Sequence, residues 1–208
     1  SGLAVEFELF NVQTGQRLLT QRLVSSERGL RATAHRIADL IFERLTGIPG
    51  AFSTRIAYVA VDGRPPKQRY RLMVADADGY GPRIVTESSE PIMSPAWSPD
   101  GQSLAYVSFE SKASAIYVQR LATGDRRRVS ARSGINGAPA WSPDGRKLAL
   151  TLSRDGNLDL YVLDLATQGL TRLTSDSAID TEPEWSRDGA SVYFTSDRAG
   201  NAQVYRVS

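Results

Sequence analysis

The 208-residue sequence contains no cysteine, one histidine and two methionines. The absence of cysteine excludes disulfide bonds and thiol catalysis, although it does not identify the compartment. No apolar run approaches the ~18 residues of a membrane-spanning helix. The net charge is only +2, from 25 basic and 23 acidic residues, so the sequence lacks the basic excess of a nucleic-acid-binding protein. The one basic run, at 126–128, is interpreted as the solvated face of a strand.

Motifs for catalysis are also missing. The sequence has no Gly-x-Ser-x-Gly elbow, no phosphate-binding loop, no dinucleotide fingerprint and no His/Cys metal spacing. The single histidine, His35, lies one helical turn from Arg31 and Asp39, a spacing that favours an ion-pair cluster over a general base. The acidic segment 155–159 holds an incomplete series of calcium ligands and is better interpreted as a hairpin. We therefore predict no enzyme activity, no cofactor and no metal.

The sequence does contain a repeat. Its three tryptophans, Trp97, Trp141 and Trp185, lie 44 residues apart in copies of one phrase, Pro-Ala-Trp-Ser-Pro-Asp-Gly or a close variant. Three tyrosines follow the same period: Tyr117, Tyr161 and Tyr205. A fixed period of this length indicates one supersecondary unit that is laid down repeatedly.

Each repeat contains short segments rich in Val, Leu, Tyr and Thr that end in turn residues, which predicts a four-stranded β-meander. Four strands with a period of about 44 residues are typical of a β-propeller blade. The aspartate of each Ser-Pro-Asp-Gly turn is interpreted as an acceptor of backbone N–H bonds. Arg187 replaces the proline in the last copy and predicts a looser turn. The tryptophans are predicted to pack between neighbouring blades.

Weaker copies of the repeat extend upstream. A first blade begins near Arg55 without an innermost strand, and the sequence ends at Ser208 one strand short of completing its last unit. The expected units therefore have three, four, four and three strands. Because closed rings need about four to eight blades, we predict part of a larger propeller, of the six-bladed type. Its open blade edges favour self-association.

Residues 1–50 do not follow the repeat. Two strand candidates, over 5–10 and 17–24, precede a helix that opens at Ser26-Glu27 and ends at Gly47. We predict a mainly β protein with two domains. Residues 1–50 form the C-terminal part of an α/β (ββα) domain, and residues 51–208 form the partial propeller.

The loops that enter the innermost strands differ between repeats, whereas the turns at the other end are nearly copied. These loops cover residues 90–94, 133–138 and 178–182. Variable loops on a constant scaffold favour recognition, and their small, apolar and acidic side chains suit a protein or peptide at the mouth of the central channel. The alternative is that these loops are merely unconstrained.

Three segments, 47–59, 93–101 and 136–139, resemble the TolB family, the periplasmic propeller proteins of the Tol–Pal system of Gram-negative bacteria. The resemblance runs over essentially the whole sequence. The tryptophan phrase alone is shared with propellers of prolyl-oligopeptidase-type enzymes. A gating domain of such a serine peptidase is therefore the alternative function.

The resemblance implies a non-enzymatic periplasmic scaffold with a six-bladed propeller behind an α/β domain. It implies binding of the lipoprotein Pal at the channel mouth, and through Pal a peripheral association with the outer membrane that supports its integrity and cell division. Nuclease colicins would use the same surface. TolA would contact an N-terminal end that this sequence is expected to lack. No nucleic acid is implied.

The resemblance also implies particular site residues. By motif, the Pal-contacting positions of the family fall on Ala138 and Thr181, with Asn136 and Glu182 as neighbours. Ile135 stands where the family has a histidine, which implies a more apolar contact. Two further residues are predicted in the equivalent segment of the preceding repeat: Met93 and Ser94.

Overall fold

The computed structural model describes residues 2–208, which contain sixteen strands, one short 3-10 turn and one α-helix. The N-terminal elements are β1 Leu3–Phe10, β2 Arg17–Ser25, the 3-10 turn Glu27–Gly29 and α1 Leu30–Thr46. The following strands are β3 Arg55–Asp62, β4 Arg69–Asp76, β5 Arg83–Ser88, β6 Ile92–Trp97, β7 Ser103–Ser108, β8 Ala115–Arg120, β9 Arg126–Ser130, β10 Asn136–Trp141, β11 Lys147–Leu152, β12 Asp159–Asp164, β13 Leu170–Arg172, β14 Asp180–Trp185, β15 Val192–Ser196 and β16 Gln203–Val207.

The strands after α1 form four separate sheets, each with its strands in sequence order. The sheets are β3-β4-β5, β6-β7-β8-β9, β10-β11-β12-β13 and β14-β15-β16. The predicted pattern of three, four, four and three strands is confirmed, and so is the mainly β fold of an open propeller. We call these sheets the first to fourth blades.

The three tryptophan phrases end in turns with one geometry. The aspartate of each turn accepts a hydrogen bond from the serine hydroxyl two residues before it, at 2.5–2.6 Å, and from the backbone N–H two residues after it, at 3.0 Å. The third turn, at Arg187, keeps both distances. Within residues 2–208 it lacks the further contact from the serine hydroxyl to the carbonyl oxygen five residues later, which the other two turns make at 3.1 and 3.2 Å, so the expectation of a looser turn is confirmed only in part. The side-chain bonds hold the turn without help from proline.

Two of the three tryptophans, Trp141 and Trp185, connect neighbouring blades as predicted. Trp141 of the third blade donates its indole N–H to the carbonyl oxygen of Ala96 in the second blade, at 3.2 Å. Trp185 makes the same bond to Ala140 one blade further on, also at 3.2 Å. Trp141 also packs against a buried cluster that includes Ile116 and residues of both blades. Burial of these rings stabilises the contact between blades.

The N-terminal elements form a hairpin followed by a capped helix. Strands β1 and β2 pair antiparallel. The hydroxyl oxygen of Ser26 accepts a hydrogen bond from the N–H of Gly29, at 3.2 Å, at the start of the helical segment. Gly47 ends α1 with a left-handed φ of 73°, a conformation that glycine adopts without a steric penalty. The predicted ββα element is therefore present.

The predicted ion-pair cluster on α1 is partly wrong. Arg31 and His35 pair with Asp76 and Asp78, whereas Asp39 accepts the backbone N–H groups of the loop at 52–53, at 2.7 and 3.1 Å. Burial pushes the pKa of Asp39 upwards, but the hydrogen bonds from that loop outweigh burial and leave the pKa lowered. Asp39 therefore holds the loop after the helix rather than joining the cluster.

The chain divides into two compact units. One comprises the residues up to Ile56 together with Val74–Pro82, and the other comprises Ala57–Met73 and Arg83–Ser208. Strands β3 and β4 thus contribute residues to both units. The domain boundary predicted at residue 50 stays a prediction.

Among the described residues, no helix has the length and apolar character needed to cross a membrane.

Candidate partner-binding site

The predicted site residues lie where the innermost strands begin. Strands β6, β10 and β14 occupy equivalent positions in the second, third and fourth blades. The seven predicted residues all lie at or just before the starts of these strands: Met93, Ser94, Ile135, Asn136, Ala138, Thr181 and Glu182. We call this group of strand starts, with the loop residue preceding each strand, the entrance rim.

Each of the three strands carries the same bulge at its start. Ser94, Ala138 and Glu182 have left-handed backbones, with φ of 48°, 44° and 52°. The pairing register shifts at the same place in every case. Non-glycine residues adopt this conformation at a cost of about 1 kcal/mol or more. The bulge is therefore a built feature of the rim that sets the direction of its side chains.

Asn136 organises the loop of the third blade. Its side-chain oxygen accepts hydrogen bonds from the Ser130 hydroxyl, at 2.7 Å, and from the Arg132 N–H, at 2.9 Å. Its side-chain nitrogen donates to the carbonyl oxygens of Arg132, at 2.8 Å, and Gly134, at 3.3 Å. The residue is 0 % exposed. The prediction that Asn136 itself meets a partner therefore needs correction, because its side chain is committed to the loop.

Asp180 has the equivalent position in the fourth blade and also supports the rim. Its carboxylate is fully buried and accepts two hydrogen bonds from the guanidinium of Arg198, at 3.0 and 2.9 Å. The hydrogen bond to Asp180 raises the pKa of Arg198. The backbone N–H of Asp180 donates to the carbonyl oxygen of Leu158 in the third blade, at 2.9 Å. This support was missed from the sequence, although the 44-residue offset from Asn136 would have pointed to it.

The other rim residues present more accessible surface. Met93 and Ile135 are 50 % and 52 % exposed, and Ala138 and Thr181 are half-buried. The Thr181 hydroxyl lies 3.4 Å from that of Thr151 in the third blade. Two further predicted residues are exposed at their bulges: Ser94 and Glu182. Apart from Asn136, the predicted residues are therefore available for contact.

Sequence reasoning missed one exposed rim residue. Ile179 precedes β14 as Ile135 precedes β10, one repeat earlier, and its exposure of 46 % is similar. The period of the repeat was the signal that could have found it.

The acidic segment in the third blade is a hairpin, as predicted. Asp159 accepts a hydrogen bond from Arg172 at 2.5 Å, and Asp155 lies 3.8 Å from the same guanidinium. Asp155 also accepts a hydrogen bond from the hydroxyl of Tyr161, at 2.6 Å. Burial, together with the hydrogen bond to Asp155, raises the pKa of Tyr161 to about 12. Both carboxylates make their contacts within the blade, although the second oxygen of Asp159 is buried without a hydrogen-bond partner.

One group of potential metal ligands lies in the N-terminal unit. Ligand atoms of His35, Asp76 and Asp78 lie within 4.8 Å of one another. The guanidinium of Arg31 contacts both carboxylates and stacks on Tyr80, 4.0 Å from the ring centroid. The hydrogen bond to Asp78 raises the pKa of Arg31. Because the positively charged guanidinium of Arg31 already neutralises these carboxylates, the group is explained as an ion-pair cluster.

Arginines of the basic run at 126–128 likewise make their contacts within the propeller. Arg126 pairs with Glu110 at 2.8 Å and lies over the Tyr117 ring, 3.6 Å from its centroid. Arg127 donates to the Leu165 carbonyl oxygen in the next blade, at 3.2 Å. These contacts agree with the strand interpretation rather than with a phosphate-binding patch.

The fold and the rim define the class of protein, an open β-propeller built from blades of three or four strands. A family model described as the TolB beta propeller domain matches residues 42–208. The chain therefore belongs to the TolB beta-propeller family.

Curated relatives agree with this assignment. The Tol-Pal system protein TolB of Methylococcus capsulatus is 59 % identical over 137 residues, which cover 66 % of this chain and 32 % of that protein. The protein of the same name from Xylella fastidiosa is 52 % identical over 134 residues, covering 64 % and 30 %. In these matches the chain spans about a third of the length of its relatives.

Solved structures show the same relationship. The crystal structure of TolB from Acinetobacter baumannii has a TM-score of 0.92 and 47 % identity, and the match covers 98 % of this chain and 51 % of that one. A puromycin hydrolase reaches a TM-score of 0.58 at 18 % identity, covering 74 % and 25 %. At that identity the hydrolase shares the fold alone, so it carries no argument for the peptidase alternative.

Proposed function

We propose that this chain is a non-enzymatic, periplasmic interaction scaffold of the Tol–Pal system whose entrance rim binds the lipoprotein Pal. The observation that carries the proposal is the rim itself. Its exposed and half-buried residues stand on a backbone bulge that repeats in three blades. Membership of the TolB family supports the choice of a partner from the Tol–Pal system.

The geometry of the rim favours protein binding over catalysis. The buried polar residues of the rim, Asn136 and Asp180, are fully engaged in supporting loops. The accessible side chains are mostly apolar or small, with Glu182 as an exposed charge. Such a surface supplies contact area and shape rather than a nucleophile or a general base.

Roles beyond Pal binding belong to the same proposal. Outer-membrane integrity and cell division would follow from the attachment to Pal. Colicins would compete for the rim, and TolA would bind outside the propeller blades.

The test introduces a bulky charge at the rim. Ala138→Arg and Thr181→Arg should each weaken binding of the soluble domain of Pal by more than about tenfold, or 1.4 kcal/mol, because both side chains are half-buried at the bulge. Isothermal titration calorimetry measures the affinity. Ala190→Arg, at an exposed position in the turn at the other end of the fourth blade, is the matched control. Undiminished affinity in both rim variants would remove the binding site from this rim.

A further inference from the structure

Two isoleucines project from the entrance rim at the same position of successive blades. Ile135 and Ile179 each precede an innermost strand, 44 residues apart. They are 52 % and 46 % exposed. A single exposed isoleucine needs no explanation, but the same exposure at equivalent positions of two neighbouring blades makes a paired apolar feature.

Both isoleucines are held on an ordered backbone. The N–H of Ile135 donates to the Ser153 hydroxyl, at 2.7 Å, and the N–H of Ile179 donates to the Asp197 carboxylate, at 2.8 Å. Ser153 and Asp197 are themselves one repeat apart. Because the backbone is already fixed, little conformational entropy remains to be lost when the side chains are covered.

The residue after each isoleucine completes this support. Asn136 follows Ile135 and Asp180 follows Ile179, and both are 0 % exposed with their side chains hydrogen-bonded beneath the loop. In the third and fourth blades a buried polar residue thus lies directly after an exposed apolar side chain. This alternation resembles the arrangement of interface anchors, in which apolar contact residues stand on a rigid base.

Glu182, three residues after Ile179, adds an unused charge to the start of β14. It is exposed, with a left-handed backbone, and within residues 2–208 its carboxylate makes no ion pair or side-chain hydrogen bond. Glu90, which enters the second blade, is by contrast paired with Lys112. A free carboxylate at a strained position is suited to a cation that arrives from outside.

We propose that Ile135 and Ile179 form a two-point apolar anchor and that Glu182 selects a basic side chain next to it. The rim would then fit a protein surface with an apolar patch flanked by a lysine or arginine. This rests on the proposed function, because the occupant to which it commits is Pal. It adds Ile179 as a residue that determines specificity and names the chemistry of the partner's patch.

The anchor is tested by removing its side chains. Ile179→Ala and Ile135→Ala should each weaken binding of the soluble Pal domain by about tenfold, and the double variant by about a hundredfold. Val204→Ala on β16 is the matched control, since this residue is 74 % exposed and lies away from the rim. Its affinity should equal that of the unchanged chain.

The charge is tested by salt dependence. Glu182→Gln should weaken binding at low salt, and the loss should shrink as the salt concentration rises from about 0.05 to about 0.5 M, because salt screens exposed charges. Glu184→Gln, at an exposed residue of the same strand, controls for the general effect of removing a negative charge.

The outcomes separate the two proposals. If the unchanged chain does not bind Pal, the proposed function fails and the anchor fails with it. If it binds and Ile179→Ala leaves the affinity unchanged, only the anchor is overturned. An equal loss in Val204→Ala would also overturn the anchor, because it would show non-specific apolar contact. A loss in Glu182→Gln that is independent of salt would overturn the role of the charge.

Discussion

Replacing Asn136 by alanine should destabilise the propeller more than any surface change of similar size. The side chain makes four hydrogen bonds, to Ser130, to the N–H and carbonyl of Arg132 and to the carbonyl of Gly134. Each such bond contributes about 1 kcal/mol to stability, and a buried group left unpaired costs about 1–3 kcal/mol. Water can reach part of this exposed loop, so we expect a loss of about 3 kcal/mol.

Urea unfolding followed by tryptophan fluorescence measures this loss, because Trp141 lies on the strand that Asn136 begins. Asn201→Ala is the matched control. Asn201 is exposed, and within residues 2–208 its side chain makes no hydrogen bond, so its loss should stay below about 0.5 kcal/mol. A loss below about 1 kcal/mol for Asn136→Ala would refute the reasoning that this side chain organises the loop.

Further predictions concern the helix loop, the buried tyrosines and the last blade. Gly50→Ala should cost about 1–3 kcal/mol in thermal or urea unfolding, because the new Cβ would lie 2.6 Å from the Cα of Asp39 and next to its carboxylate. Tyr106 and Tyr161 should titrate late in absorbance at 295 nm, since burial raises both pKa values to about 12. The contribution of these two tyrosines to the free energy of unfolding is fully present below about pH 10 and is lost as the pH rises towards about 12. Val204→Lys on the edge strand β16 should reduce the self-association predicted for this chain, as measured by light scattering at high concentration.

Each of these expectations has an opposing result. Gly2→Ala, which meets nothing within 4 Å, is the control for Gly50→Ala, and equal stability of the two variants would contradict the close approach. If the Tyr106→Phe and Tyr161→Phe variants each lost part of the absorbance change at 295 nm that occurs below about pH 11, the two tyrosines would titrate early. That result would contradict their burial. A chain that stays monomeric before any substitution would contradict the prediction of self-association.

The architecture of the blades was predictable because it is encoded locally and repeatedly. The tryptophan phrase predicts a turn whose hydrogen bonds involve residues only two to five positions apart, such as Ser98 with Asp100 and Ser103. Strand segments between such turns pair with their sequence neighbours, so the period alone predicts the strand order. The same regularity predicted that tryptophans join neighbouring blades.

The details of the candidate site were less predictable because they depend on long-range packing. Asp180 meets Arg198 across 18 residues, and Arg31 meets Asp76 across 45. No local pattern marks such partners. The sequence also carries no signal for the left-handed backbone at Glu182, because glutamate does not favour that conformation.

The sequence by itself determined the repeat, the order of the strands and the segments from which the rim is built, since turn chemistry and apolar alternation act over a few residues. Only the tertiary structure decided which rim residues support the loops with buried side chains and which have exposed side chains. Asn136 and Ile135 are adjacent in sequence, yet one is buried and the other is half exposed. That difference arises from the Ser130, Gly134 and Ser153 groups that surround them, because burial is a property of packing between segments rather than of any one segment.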